Sequence, residues 1–359
     1  MKRALVCLVA AIISSTPLVA GCAPSAPAST RAPEPSKTSE VTRSAATPAP
    51  SALTSAPVRR VDFPEKGKVI TIIVPWGTGG DSDLLARLLA SPMERLLGVP
   101  VQVVNKPAGG SQQGLTELVQ SKPDGYTVAF ANTPTTAVTY LDPDRKAVYS
   151  RKDFAPVANL ARTMTSVGVP PDSQFKDLKE LVDAARSEPE KVKVATTGLM
   201  TNTHLDLARF QKVVGVKFAL VHFDGAGPAK TALMGGHVDA SFQSISTWGG
   251  ADKSGQVRLI GVLGEKRNRF VPDVKTAEEQ GFKVYTHSLR IVAAPAGTPP
   301  EVIDILSGAF KKALEDAEVK KKMDEFYVEI DYMDPASAAA EWDKSEVEAR
   351  EGMKLARQQ

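Results

Sequence analysis

An apolar strand, a glycine-rich turn and the start of a helix follow one another near the head of the folded region. Residues 69–75 are almost entirely apolar, residues 77–80 read Gly-Thr-Gly-Gly, and an apolar stripe predicts a helix over 83–97. The first N–H groups of a helix have no partner inside it, and anions are stabilised beside them. The segment therefore predicts an α/β unit with an anion site at the carboxyl end of its strand.

Short apolar strands alternate with helical stretches from residue 62 to the end of the chain. This alternation is typical of α/β folds, and we expect mostly parallel sheets in a region long enough for two domains. Helices are predicted over 83–97, over 176–186 and after residue 300, with Pro92 kinking or breaking the first and Gly98 ending it. The strand candidates are 69–75, 101–105, 126–131, 155–160, 166–169, 192–196, 217–221, 238–242, 257–263, 284–286 and 290–294.

A second strand leads into a similar turn. The strand candidate 101–105 is followed by a turn that contains Gly109, Gly110 and Ser111, and then by a helical stretch. Open α/β folds bind ligands beyond the carboxyl ends of their strands. Two such turns on neighbouring strands are therefore expected to face one cleft.

The first turn lacks the spacing of a nucleotide site. A phosphate-binding loop needs a lysine that is absent here, and the dinucleotide fingerprint fails at its third glycine, where Ser82 stands. Asp81 and Asp83 would also repel a pyrophosphate, so a smaller ligand held by N–H groups and hydroxyls fits better. Asp83 can either cap the helix or contact the ligand, and Trp76 can either floor a pocket or pack in the core.

Hydroxyls are concentrated in a third turn, over residues 196–204. Thr197 and Thr201 follow a strand candidate and precede a helical stretch, where their hydroxyls can coordinate a carboxylate. Alternatively, Thr201 or Asn202 caps the helix, which does not exclude contact with a ligand. Phe223 follows the next strand and either walls the cleft or packs against it. These side chains are neutral donors or apolar walls, and they favour binding over chemistry.

The histidines do not lie in a hydrolase or zinc-protease motif. His222 with Asp224, and His237 with Asp239, are two residues apart, which supplies too few ligands for a zinc shell. We therefore expect no catalytic constellation, no metal site and no cofactor. The four histidines are His204, His222, His237 and His287.

The N-terminal residues resemble a bacterial lipoprotein leader. Two basic residues precede an apolar run that is too short to span a bilayer, and residues 18–22 read Leu-Val-Ala-Gly-Cys. We interpret residues 1–21 as a signal peptide and Cys22 as the lipidated first residue of the mature chain. An ordinary signal peptide with an incidental cysteine is the alternative.

Composition supports an anchored, extracytoplasmic domain. Residues 22–61 are rich in Ala, Pro, Ser and Thr and predict a disordered tether. Both cysteines, Cys7 and Cys22, precede the folded region, which therefore has no disulfide and no thiol nucleophile. A net charge of +3 is not the footprint of a nucleic-acid-binding protein.

Seven motifs in register resemble the Bug family, the extracytoplasmic solute receptors of tripartite tricarboxylate transporters. The resemblance covers about residues 66–345, and Ala108, Ser111, Met200, Thr201 and Asp224 depart from the family pattern. The motifs are Pro75, Trp76, Gly79, Gly80 and Asp83; residues 105–114; residues 123–127; residues 198–205; residues 222–225; residues 235–239; and residues 294–299.

The resemblance implies a two-domain α/β fold of the type II periplasmic-binding-protein class, which closes on its ligand. Its domains would comprise residues 62–165, residues 166–286 and a return over 287–359. The ligand, a di- or tricarboxylate or a similar organic acid, would lie in the interdomain cleft. The implied ligand-binding residues are Trp76, Thr78, Gly79, Gly80, Asp83, Gly109, Gly110, Ser111, Thr133, Thr197, Thr201, Phe223, Asp224 and Gly225.

The resemblance also implies partners and leaves alternatives open. The chain would be a monomer, held to the membrane by lipid on Cys22, that delivers its ligand to the membrane subunits of a transporter. Asp224 stands where the family has a base, so it faces either an ammonium group or solvent, and we favour solvent. A secreted enzyme on the same fold and a sensor for a membrane kinase are the alternative functions.

Overall fold

The computed structural model describes residues 61–358. The predicted signal peptide, Cys22 and all but the last residue of the predicted tether lie outside these residues. The strands are β1 (Ile70–Val74), β2 (Val101–Asn105), β3 (Thr127–Phe130), β4 (Phe154–Thr163), β5 (Thr165–Val169), β6 (Lys193–Thr196), β7 (Ala219–His222), β8 (Ala240–Ser244), β9 (Arg258–Val262), β10 (Ser288–Pro295) and β11 (Glu329–Met333). The helices are α1 (Asp81–Leu97), α2 (Gln112–Gln120), α3 (Thr135–Leu141), α4 (Leu178–Ser187), α5 (Asn202–Val214), α6 (Ala226–Met234), α7 (Gly249–Lys253), α8 (Pro300–Leu314), α9 (Ala317–Glu325) and α10 (Pro335–Ala356).

Two mixed sheets organise these elements. The first has six strands in the order β11-β4-β10-β3-β1-β2, and the second has five in the order β7-β6-β8-β5-β9. Strands β2, β1 and β3 are parallel, as are β7, β6 and β8, while the remaining pairs are antiparallel. The expectation of mostly parallel sheets is therefore wrong. The apolar runs that mark β4, β5, β9 and β10 carry no signal of strand direction.

The chain crosses from the first sheet to the second within one residue and returns through the longer segment 263–287. Strand β4 belongs to the first sheet and ends at Thr163, and β5 of the second sheet begins at Thr165. The return runs from β9 to β10, which begins at Ser288. We call the first sheet with its helices the first lobe, and the second sheet with its helices the second lobe. The predicted domain boundaries remain predictions.

Local signals located most elements, with three exceptions. The strand predicted over 284–286 is wrong, because Thr286 instead ties the crossing segments, donating from its N–H to Leu263 O (2.6 Å) and accepting at Oγ1 from the N–H of Thr165 (3.2 Å). Strand β11, at an edge of the first sheet, was missed although its polar and apolar residues alternate as they do in a half-buried strand. Helix α1 runs without a break through Pro92, which is buried together with Leu89 and Met93.

Helix α1 fixes the geometry of the first turn. Leu85, Leu89 and Met93 are buried in the core of the first lobe, and burial of each such side chain contributes about 1.5–3 kcal/mol. Gly98 ends the helix in the left-handed region (φ 70°), as predicted, and its N–H donates to Glu94 O (2.9 Å). This packing holds the start of α1 against the carboxyl edge of the first sheet.

A buried carboxylate lies beside the crossing between the lobes. Asp206 on α5 accepts a hydrogen bond from the hydroxyl of Thr165 (2.7 Å) and lies 3.7 Å from the guanidinium of Arg209. Burial raises the pKa of Asp206 to about 6, against the opposing effects of Arg209 and Thr165, and the nearby charge of Glu348 adds to the rise. The ionised form of Asp206 therefore lowers the stability of the folded chain.

Replacing Asp206 with Asn is expected to remove a pH-dependent loss of stability. Because the folded pKa lies above the unfolded value, the folded chain binds more protons between about pH 4 and pH 6. The contribution of Asp206 to stability therefore falls as pH rises through this window, by no more than about 3 kcal/mol. Urea unfolding at pH 4, 5, 6 and 7 measures this slope, with Asp304→Asn on α8 as an exposed control. Parallel pH profiles for wild type and Asp206→Asn would contradict the assignment.

Candidate functional site

The carboxyl ends of β1, β2 and β3 meet the starts of α1, α2 and α3 at one edge of the first sheet. We call residues 75–80 the first turn and residues 106–111 the second turn. Strands β1 and β2 are neighbours, as predicted, and the N–H of Lys106 donates to Val74 O (2.9 Å). Gly114 lies so close to the end of β1 that a Cβ there would be 3.0 Å from the Cβ of Pro75. The two turns are therefore adjacent.

Asp83 organises both turns. Its buried carboxylate accepts hydrogen bonds from the N–H of Gly79 (2.9 Å), from Arg87 Nε (3.0 Å) and from Asn105 Nδ2 (2.9 Å). Burial opposes ionisation, but these hydrogen bonds outweigh it and lower the pKa of Asp83 below its ordinary value. The N-cap of α1 is Gly80, so Asp83 is not the capping residue itself. Its contact with the first turn is structural, and its predicted contact with a ligand remains a prediction.

The first turn presents its backbone to open space. Thr78, Gly79 and Gly80 are exposed, and Gly79 has a positive φ of 78°. A Cβ added at Gly79 would meet no atom within 4 Å, and one added at Gly80 would meet only Gly77 O, at 3.8 Å. Trp76 is half-buried and packs against the core of the first lobe, which is one of its two predicted roles. Its other predicted role, as the floor of a pocket, remains a prediction.

Four buried side-chain oxygens near these turns have no hydrogen-bond partner among residues 61–358. Buried polar atoms in native proteins are nearly always paired with protein or water. The amide nitrogen of Asn132 is satisfied by Ser82 Oγ (2.7 Å), which ties the end of β3 to the start of α1. Unpaired oxygens gathered at one sheet edge therefore point to a polar ligand or ordered water. They are Ser111 Oγ, Asn132 Oδ1, Thr133 Oγ1 and Thr136 Oγ1.

Sequence reasoning missed a buried ion pair beneath the first turn. Arg290 on β10 is almost fully buried and pairs with Asp81, at the start of α1. Its Nη1 donates to Ser288 Oγ (2.7 Å), whose hydroxyl donates to Thr133 O (2.7 Å). A signal was present, since arginine is rare inside an apolar strand candidate such as 290–294. The pair fixes the start of α1 against β10.

The third turn brings its threonines together in the second lobe. Thr197 Oγ1 lies 3.3 Å from Thr201 Oγ1 and 2.9 Å from Thr203 Oγ1. Thr201 occupies the N-cap position of α5, but its side chain makes no capping hydrogen bond to the helix, and its hydroxyl instead donates to Gly198 O (2.8 Å). The predicted residues Thr197 and Thr201 therefore form one hydroxyl cluster.

The loop after β7 packs beside this cluster. The N–H of Phe223 donates to Thr196 O (3.2 Å), and the N–H of Gly225 donates to Thr197 O (3.1 Å). Phe223 is half-buried against the second-lobe core, and Gly225 needs its positive φ of 108°. Asp224 is exposed, and its orientation toward solvent or toward an ammonium group of the ligand remains a prediction.

His204 and His222 have structural partners. His222 Nδ1 lies 2.7 Å from Thr196 Oγ1, and its ring packs against that of His204 with centroids 4.4 Å apart. Partial burial of the ring lowers the pKa of His222 below its ordinary value. Within the described part of the chain, no group of three His, Cys, Asp or Glu side chains is placed to hold a metal ion.

Two contacts bring the edges of the lobes together. Ser246 Oγ, after β8 of the second lobe, donates to Asp81 Oδ2 (3.3 Å). Arg145, in the first lobe, donates through Nη2 to Leu199 O in the third turn (3.5 Å). The edge of the first sheet that carries the first two turns therefore meets the second lobe close to the hydroxyl cluster. Across residues 61–358, no helix has both the length and the apolar character to cross a membrane.

Comparison with known proteins identifies similar chains. The model of the family described as tripartite tricarboxylate transporter family receptor matches residues 85–351. The UPF0065 protein in the gbd 5' region of Cupriavidus necator is 32% identical over 305 residues, covering 83% of this chain and 90% of the relative. A solved structure of a periplasmic transporter is 30% identical, with a TM-score of 0.75 over 80% of this chain and 97% of that chain. MatC from Rhodopseudomonas palustris with bound malate is 26% identical, with a TM-score of 0.72 over 81% of this chain and 100% of that chain.

Proposed function

Because this chain belongs to the tripartite tricarboxylate transporter family of receptors, we propose that it captures a small carboxylate between its lobes and delivers it to a membrane permease. The family membership and the two-domain periplasmic-binding-protein-like fold implied by the sequence are confirmed. The observation that carries the proposal is the group of unpaired buried oxygens beside two turns with exposed backbone. A ligand with several acceptor and donor atoms would satisfy these groups.

In this proposal the first lobe holds one carboxylate. Thr78 and Gly80 offer backbone N–H groups at the start of α1, while the N–H of Gly79 is held by Asp83 and keeps the turn in place. The second turn offers the N–H groups of Gly109 and Gly110. The hydroxyls of Ser111 and Thr133 are buried donors without another acceptor in the described chain. Neutral donors bind a carboxylate reversibly, as a receptor that must release its ligand requires.

The second lobe reads the far end of the ligand. Thr197 and Thr201 present hydroxyls from one turn, and Phe223 with Gly225 forms the adjoining wall. Closure of the second lobe over the first would enclose the ligand on both sides. The bound malate of the related MatC supports a small organic acid as the ligand class.

The same proposal places the domain outside the cytoplasm. The leader pattern over 1–21, Cys22 and the composition of 22–61 support a lipid-anchored monomer on a tether, facing the transporter's membrane subunits. Lipidation is tested by expressing the chain in a bacterial host and analysing its first residue by mass spectrometry, beside Cys22→Ala. An unmodified residue 22 would remove the anchor from the proposal and leave the binding site unaffected.

Carboxylates are expected to raise the melting temperature of the purified full chain. Ligand that binds only the folded state stabilises it, by about 2.7 kcal/mol at a hundredfold excess over Kd. The measurement is a thermal-shift panel of di- and tricarboxylates and amino acids, after unfolding and refolding to remove bound ligand. A folded protein that no member of the panel stabilises would contradict the proposal.

A further inference from the structure

Arg145 lies against the second turn, a position that no local sequence signal predicts. It ends a short 3-10 helix, Pro143–Arg145, that follows α3. A Cβ added at Gly110 would lie 2.9 Å from Arg145 Nη1, so the guanidinium rests directly on that glycine. The carbonyl oxygen of Arg145 also accepts from Gln112 Nε2 (2.9 Å). Both ends of the residue are therefore tied to the turn that carries Ser111.

The same guanidinium reaches the opposite lobe. Arg145 Nη2 donates to Leu199 O at 3.5 Å, which is a long hydrogen bond. Leu199 lies in the third turn, between Thr197 and Thr201. The Nη edge of Arg145 therefore bridges the second turn and the third turn, which carry the two groups of proposed ligand-binding residues.

The charge of Arg145 is only partly compensated by the chain. Its Nε lies 3.7 Å from Asp142 Oδ2, whereas Arg357 Nη2 binds the other oxygen of the same carboxylate at 2.7 Å. The carboxylate of Asp142 is thus shared by two guanidinium groups. It lies beside Nε of Arg145 and leaves the Nη edge of Arg145 without a carboxylate partner in the described chain. By contrast, Asp81 and Asp83 at the first turn have arginine partners of their own.

We infer that Arg145 selects ligands that carry a second carboxylate. A guanidinium edge matches the two oxygens of a carboxylate, and charge-assisted hydrogen bonds are the strong ones. The first carboxylate lies on the turns of the first lobe, and the second bridges Arg145 and the third turn when the lobes close. This inference rests on the proposed function and adds dicarboxylate specificity to it.

The test compares diacids with their monoamides, which have nearly the same shape and one charge fewer. Calorimetric titration of the full chain uses L-malate, succinate and adipate beside succinamate and adipamate. Wild type is expected to prefer the diacid of each pair about 10- to 100-fold. Arg145→Gln is expected to abolish that preference by weakening diacid binding, with monoamide binding unchanged. Lys146→Gln is the matched control, because it removes the same charge from the adjacent, exposed residue.

The outcomes separate this inference from the proposed function. If wild type binds no carboxylate, both are overturned. If wild type prefers the diacid and Arg145→Gln keeps that preference, only the role of Arg145 is overturned. The role of Arg145 is also overturned if Lys146→Gln loses the preference to the same extent as Arg145→Gln. An equal loss of affinity for the diacid and the monoamide in Arg145→Gln would show that Arg145 only holds the two lobes together, and it would overturn the proposed selectivity. Arg145→Lys keeps the charge without the planar fork and is expected to lower the preference about fivefold, which provides a second test if the glutamine variant does not fold.

Discussion

Replacing Gly80 with Val is expected to abolish carboxylate binding and to leave the fold intact. Gly80 has an extended backbone (φ −78°, ψ 168°) that valine adopts without strain. Its added Cβ would meet only Gly77 O, at 3.8 Å, so the side chain projects into the open space at the start of α1. There it would cover the N–H groups proposed to bind the carboxylate. We expect affinity to fall at least about 100-fold, since several hydrogen bonds to a charged group are lost together.

The binding loss must be separated from a general effect on stability. Valine at an N-cap costs about 1 kcal/mol or less relative to glycine, so the melting temperature should move only a few degrees. Gly308→Val on α8 is the matched control, because a Cβ there meets no atom within 4 Å and Gly308 is not among the residues proposed to bind the carboxylate. It is expected to bind carboxylates as wild type does. Normal binding by Gly80→Val would mean that the first turn is not the carboxylate site.

The parts of the site that sequence could predict are those set by local signals. The first turn follows from an apolar run, a glycine cluster and an amphipathic helix within about thirty residues. The hydroxyl cluster of Thr197 and Thr201 follows in the same way, since both residues belong to one turn between a strand and a helix. Adjacency of the first two turns followed from a rule, because sequential parallel strands tend to be neighbours.

The parts that could not be predicted depend on contacts between distant segments. Asp81 and Arg290 are 209 residues apart, and Arg145 and Leu199 are 54 apart. The composition of a segment does not predict which distant residue it will contact. Two residues of opposite charge pair only if the topology of the fold brings them together. The antiparallel placement of β10 decides where Arg290 lies, and the sequence pattern predicted the strand without its direction.

Replacing Asp81 with Asn is expected to destabilise the first lobe strongly. The Arg290 side chain is 6% exposed and that of Asp81 is 28% exposed, so the amide substitution leaves a buried guanidinium without its counter-charge. Breaking a buried pair by removing one partner costs about 3–5 kcal/mol, because the remaining charge is desolvated without compensation. Since Arg290 also donates to Ser288 Oγ, which holds Thr133 O, the loss would spread to the proposed carboxylate site.

Urea unfolding measures this effect, and two further variants identify its cause. Asp183→Asn removes one partner of an exposed pair with Arg186 (2.7 Å; side chains 69% and 57% exposed), and it should change stability little because solvent screens that pair. The double variant Asp81→Asn with Arg290→Met removes the buried charge together with its partner and should recover much of the loss. If Asp81→Asn costs no more than Asp183→Asn, the pair is not a buried constraint. If the double variant recovers stability but not carboxylate affinity, the role of the ion pair is to position α1. Carboxylate binding at the first turn would then depend on that position.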